Sequence, residues 1–152
     1  MKNPFPNNPV FQKFLGLKEA FRQFATVESK KRTRELAYIA RIIRQYGDDI
    51  AFDILGSVNF GIADDKSDVD MVIYIDCGHE EEATYENCYK LWFYERLILN
   101  TLVFEVSESS FQIEVVDAIN LRALEKAILE EDYDNDIIAR FVFYRTICRG
   151  IN

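Results

Sequence analysis

The sequence predicts one α/β domain of the α+β kind, a small sheet flanked by helices, spanning residues 1–152. Three observations lead there. A chain of 152 residues that is 49% hydrophobic and 14% aromatic can fill one core and is too short for two ordinary domains. Two short runs rich in β-branched and large apolar residues, IAFDIL at 50–55 and VDMVIYI at 69–75, are bounded by glycines and charges and read as buried strands. On both sides of them, apolar residues recur at helical spacing.

Taken in order, the first ten residues hold Pro4, Pro6, Pro9 and three asparagines and read as a loosely held arm. Helices are expected over 11–47. Phe11, Phe14, Leu15, Leu17, Phe21 and Phe24 outline the first, interrupted at Gly16. Leu36, Ile39, Ala40, Ile43 and Tyr46 form the stripe of the second, with Lys30, Lys31, Arg34, Arg41 and Arg44 on its outer side and Gly47 as its stop. After the two strands, a helix is expected from Glu80 to about Thr101. LVFEV, SESS and FQIEVVD then suit a hairpin with a four-residue loop, its second strand at 111–117. Asn120 is placed to cap a helix carrying Leu121, Leu124, Ala127 and Ile128, and a last helix should end at Gly150. No internal repeat or interior linker divides the chain.

Charge and cysteine usage narrow the function classes. The net charge is −8, but residues 1–44 carry +7 and the rest −15. The ordinary explanation is a wet basic helix face that pairs with the acidic body, and a chain of this net charge is repelled by a phosphate backbone except at a local basic patch. No long apolar run and no signal-like opening occur, so no membrane span is expected and the protein is placed in the cytoplasm. Cys77, Cys88 and Cys148 are odd in number and lack CxxC spacing, which suits reduced, packed thiols and gives them no chemical role.

Chemistry is concentrated in GSVNFGIADDKSDVD, residues 56–70. On a strand, Asp68 and Asp70 project to one side while Val69 and Met71 face the other. Two carboxylates held that close repel, and a divalent cation between them keeps both ionised. Oxygen ligands of this sort suit Mg²⁺, which completes its shell with waters and substrate phosphate oxygens. Gly56 lets backbone N–H groups approach an anion, Ser57 adds a hydroxyl, Gly61 turns the chain again, and Ser67 stands beside the first aspartate.

This stretch resembles the signature of the polymerase-β-like nucleotidyltransferase superfamily, most nearly its minimal, antitoxin-like members: a Gly-Ser pair, a second glycine, and an Asp-x-Asp within an apolar strand. The resemblance implies a nucleotidyltransferase-like small mixed sheet and a third carboxylate on a later neighbouring strand, for which FQIEVVD is the matching place. There Phe111, Ile113 and Val115 make an apolar face and Gln112 and Glu114 the other, so Glu114 is the expected third ligand; Asp117, of opposite parity, is second choice. The implied activity is transfer of a nucleoside monophosphate, AMP from ATP or its counterpart from another nucleoside triphosphate, to a hydroxyl on a protein, RNA or small-molecule acceptor. In the implied two-metal scheme Asp68, Asp70 and Glu114 hold Mg²⁺ and Gly56, Ser57, Gly61 and Ser67 serve the nucleotide. The chain departs from the pattern twice: Val58, Asn59 and Phe60 supply no positive charge after the Gly-Ser, and the third acid is Glu rather than the commoner Asp.

Other residues read more plainly. Lys66 is a turn lysine before it is a phosphate ligand, and His79 a solvated residue in an acidic turn. Trp92 and its aromatic neighbours suit core or a subunit contact, and a homodimer is compatible with so many aromatics. Arg140, Arg145 and Arg149 suit surface ion pairs. A second function class stays open, an interaction protein acting as antitoxin-like partner of a helical protein, as does a nucleotide-binding module without catalysis.

Overall fold

The computed structural model describes residues 7–23, 25–45, 50–105, 111–147 and 149–150. The elements run α1 (Pro9–Gln23), α2 (Val27–Arg44), β1 (Ile50–Leu55), α3 (Gly56–Phe60), β2 (Val69–Ile75), α4 (Tyr89–Glu105), β3 (Ile113–Asn120), α5 (Leu121–Leu129), α6 (Asp136–Ile147) and β4 (Arg149–Gly150). The fold is a small α+β one. The sheet is mixed, in the order β3-β2-β1-β4, with β1 antiparallel to β2 and to the two-residue β4 and with β2 parallel to β3.

Each sheet face carries its own core because the strands alternate. Phe52, Ile54, Val69, Met71, Ile73, Ile75 and Ile113 point one way, onto α2 and α4 through Leu36, Ile39, Ile43, Leu91 and Ile98. Val72, Tyr74 and Ile119 point the other way, onto α5 and α6 through Ala123, Leu124 and Ile137. Both expected central strands fall where the sequence places them. No described helix is long and apolar enough to cross a membrane.

Several boundaries differ from expectation. Pro9 and Val10 are not arm: α1 begins at Pro9, where a missing N–H costs nothing, and Asn8 Oδ1 accepts from Val10 N (2.9 Å) and Phe11 N (3.1 Å). Gly16 does not break that helix. The stop at Tyr46 and Gly47 and the SESS loop lie outside the described residues. Residues 102–105 continue α4 rather than forming a strand, a short apolar run being ambiguous between the two. That helix also starts at Tyr89, well after Glu80, because local side-chain bonds compete for the backbone ahead of it. Thr84 N donates to Asn87 Oδ1 (2.9 Å), Asn87 N to Thr84 Oγ1 (3.1 Å) and Asn87 Nδ2 to Glu82 O (2.9 Å). The last helix stops at Ile147, and Arg149 and Gly150 pair instead with Ile54 and Asp53.

Asn120 fastens this acidic loop to the sheet. Fully buried, it caps α5 by accepting from Arg122 N (3.2 Å), accepts from Cys77 N (3.2 Å), and donates through Nδ2 to His79 O (2.8 Å) and Glu81 O (2.7 Å). Asn120→Ala removes the cap and strands buried partners, so it should lower unfolding free energy by about 2–3 kcal/mol in denaturant titration.

Candidate functional site

Gly-Ser occupies the point where β1 gives way to α3. Gly56 has φ +71°, a left-handed conformation, and a Cβ built on it would meet Asp70 Oδ2 at 3.1 Å. The glycine therefore brings backbone against the Asp70 carboxylate where any side chain would intrude. Gly56→Ala should cost about 1–2 kcal/mol of stability for the strained φ. It should also displace Asp70, so that ligand binding at the carboxylates falls further than the change in thermal midpoint accounts for. Ser57 is half-buried, with no side-chain hydrogen bond among the described residues. Gly61 is buried and ends α3 at φ +76°, and its carbonyl accepts from Thr26 N (2.8 Å), so it serves the turn and the contact with α2.

The next residues close on themselves. Asp64 accepts from Lys66 N (2.9 Å) and Ser67 Oγ (3.1 Å), and Ser67 Oγ accepts from Asp64 N (3.0 Å). The hydroxyl of Ser67 is thus committed to the turn, and Lys66 is an exposed turn residue. The N–H of Lys66, then the Ser67 hydroxyl, hold the Asp64 carboxyl below its ordinary 3.8. A group so depressed supports its turn above that value and releases it as pH falls through the lower, folded value. The turn is therefore closed at neutral pH.

Asp68 precedes β2 and is exposed, its Oδ1 accepting from Gln112 N at 3.4 Å; Asp70 is half-buried within the strand. Asp70 pairs with Leu55 on one side and with Glu114 on the other. Registered residues on neighbouring strands share a face about 5 Å apart, so Asp70 and Glu114 are flanking neighbours with Asp68 at the open end. The pairing of Phe111 and Ile113 with the core and of Gln112 and Glu114 with solvent follows expectation.

Asp117 corrects the parity expectation. Met71 pairs with Val115 but Val72 with Asp117, so Val116 is a bulge that returns Asp117 to the Glu114 side of the sheet. It is nonetheless occupied: Arg140 Nε donates to it at 3.0 Å and the Tyr144 hydroxyl also donates. Across the sheet Val72 pairs with Asp53, which is 1% exposed and takes Arg145 Nη1 at 2.6 and 2.7 Å and the Tyr74 hydroxyl. The guanidinium of Arg140 is held above its ordinary range by Glu82, then Asp136 and Asp117, and that of Arg145 by Asp53.

Two rows of acids thus lie side by side on one face. The inner row, Asp53 and Asp117, is neutralised by arginines of α6. The outer, formed by Asp68, Asp70 and Glu114 beside Gly56, has no ion pair to any described residue. Among the described residues no three His, Cys, Asp or Glu side chains come together as a group that could hold a metal ion, so Asp68, Asp70 and Glu114 are not gathered into the expected three-ligand centre. The outer row is instead an open, all-oxygen edge. That donor set fits Mg²⁺, which binds one or two protein carboxylates and keeps waters and substrate oxygens in the rest of its shell.

Arg32, absent from the sequence reading, lies behind this edge. It is 1% exposed and donates through Nε to Ser67 O at 3.0 Å. Its signal was positional, since it extends the buried stripe of α2 through Ser29, Arg32, Leu36, Ile39 and Ile43. The basic residues of α2 line a wet face as expected, with Arg41 exposed as well, but their pairing with the acidic body is not seen among the described residues. Lys30, Arg34 and Arg44 are exposed, Lys31 is half-buried, and none ion-pairs with a described carboxylate.

The remaining expectations divide. His79 is bonded rather than merely solvated: Nδ1 accepts from Glu81 N and Nε2 lies 3.1 Å from Asn87 O. Trp92 is not core; 43% exposed, it stacks on Tyr89 and lies under Arg96. Cys77 and Cys88 are free thiols, and burial, then Cys88, pushes the Cys77 thiol up to about 12; Cys148 lies outside the described residues. Comparison with protein-family models, curated proteins and solved structures gave no match.

Proposed function

We propose that this protein is a Mg²⁺-dependent nucleotidyltransferase of the polymerase-β-like kind. It moves a nucleoside monophosphate, AMP from ATP in the first instance, to a hydroxyl of a protein, RNA or small-molecule acceptor. The observation that carries this reading is the contrast between the rows: the acids flanking Val72, Asp53 and Asp117, are each tied to an arginine, whereas Asp68, Asp70 and Glu114 have no ion pair among the described residues and lie beside a glycine that clears space at Asp70. Like charges kept together without a counter-charge favour a bound cation.

In this reading Asp68 and Asp70 hold the Mg²⁺-chelated triphosphate, Gly56 allows it close to the backbone, and the Ser57 hydroxyl donates to a phosphate oxygen. Glu114, exposed and without an ion pair among the described residues, draws the proton from the acceptor hydroxyl as its oxygen attacks the α-phosphorus. The bond to the β-phosphate breaks and pyrophosphate leaves with the electron pair. Bound Mg²⁺ supplies the positive charge that offsets the charge developing on the phosphate oxygens. Free thiols at Cys77 and Cys88 support a cytoplasmic setting.

The test is incubation of the purified protein with ATP labelled at the α-phosphate, Mg²⁺ and a cell extract. Label transfer with pyrophosphate release, absent in the Asp68→Asn, Asp70→Asn double variant, supports the reading; equal behaviour of both proteins contradicts it. A second reading, an interaction protein on the same fold, is favoured by Val142 and Phe143, 55% and 56% exposed on α6. Partner capture that survives the double variant would select it.

A further inference from the structure

We propose that Arg32 is a positioning residue for the carboxylate edge, an inference that rests on reading that edge as a cation and nucleotide site. One face of α2 grips the loop leading to Asp68 at successive points. Thr26 N donates to Gly61 O (2.8 Å), Thr26 Oγ1 to Ala63 O (2.5 Å), and Ala63 N to Ser29 Oγ (2.8 Å). Arg32, one turn further, donates to Ser67 O, the carbonyl immediately before Asp68.

The same guanidinium reaches the second strand of the site. Its Cζ lies 5.0 Å from the centre of the Phe111 ring, and Phe111 precedes Gln112. Gln112 O accepts from Val69 N at 2.8 Å, and Gln112 N donates to Asp68 Oδ1 at 3.4 Å. A single buried side chain therefore fixes the entrance of both β2 and β3, and with it the spacing of Asp68 and Asp70 from Glu114.

A buried cation is a poor way merely to fill this space. Glu28 balances its charge through Nη1, but Nη2 is buried with no partner among the described residues. An apolar side chain would fill the volume without that burden. It would not grip a carbonyl and stack on a ring at once, which the planar, forked guanidinium does.

The test uses the full chain, Mn²⁺ as a spectroscopic substitute for Mg²⁺, and ATP, with Mn²⁺·ATP affinity read by electron paramagnetic resonance and folding by circular dichroism. Arg32→Met should keep the fold and weaken Mn²⁺·ATP binding by about 10- to 100-fold, the scale of losing a group that orients a metal's ligands. Arg32→Lys should recover part of the loss. Affinity within about twofold of wild type, whatever the melting temperature does, would make Arg32 purely structural and overturn the proposal. Should Arg32→Met not fold, Phe111→Leu removes the ring from beneath the guanidinium and decides in the same way: weakened binding supports positioning and unchanged binding overturns it. Absence of Mn²⁺·ATP binding by wild type would instead overturn the proposed site itself.

Discussion

The Asp68→Asn, Asp70→Asn double variant is expected to lose nucleotidyl transfer by roughly 10³-fold or more, since removing one group that stabilises transition-state charge already costs about 10²–10³. It is also expected to keep or raise its thermal midpoint. Both aspartates lack an ion pair among the described residues, so neutralising them relieves repulsion and breaks no ion pair, and an amide oxygen at position 68 can still accept from Gln112 N. Loss of activity with retained stability separates a functional edge from solubilising charge. Parallel melting curves and transfer assays check both halves.

The opposite pattern is expected in the inner row. Arg145→Met should destabilise the protein by about 2–3 kcal/mol without touching the outer carboxylates, because it leaves Asp53, 1% exposed, with the Tyr74 hydroxyl and no counter-charge. The figure lies below the about 3–5 kcal/mol usual for a broken buried pair because the Arg145 side chain is itself 49% exposed. Adding Asp53→Asn should restore much of the loss, so the double-mutant cycle should show strong coupling.

Much of the sheet was legible because its strands are short, apolar and flanked by glycine. IAFDIL and VDMVIYI became β1 and β2 at their expected boundaries, and period-2 alternation placed Asp70 opposite Met71, whereas Asp68 lies just before the strand that was expected to carry it. The parity argument for Glu114 held over residues 111–115 and failed beyond them. Nothing in EVVDAI marks Val116 as an extra residue, since the bulge is defined only by pairing with β2. The end of the hairpin reading has a similar cause: LVFE is apolar enough for a strand, and its attachment to α4 decided the matter.

Long-range polar contacts were the least legible. Arg140 and Arg145 do form the expected ion pairs, but their partners Asp117 and Asp53, 23 and 92 positions away and the latter 1% exposed, could not be named from the sequence. Arg32 was hidden by residue type, being basic among basic neighbours, although its place between Ser29 and Leu36 put it on the inward stripe. In a basic amphipathic helix, a cation at a stripe position marks a buried contact that composition conceals.

The most direct test of the central claim is calorimetric titration of the protein with ATP, in the presence and absence of Mg²⁺, alongside the Asp68→Asn, Asp70→Asn variant. The outer row, without an ion pair among the described residues, predicts binding that requires Mg²⁺ and disappears in the variant. Binding indifferent to Mg²⁺ or to the two aspartates, or no binding of any nucleoside triphosphate, would contradict it.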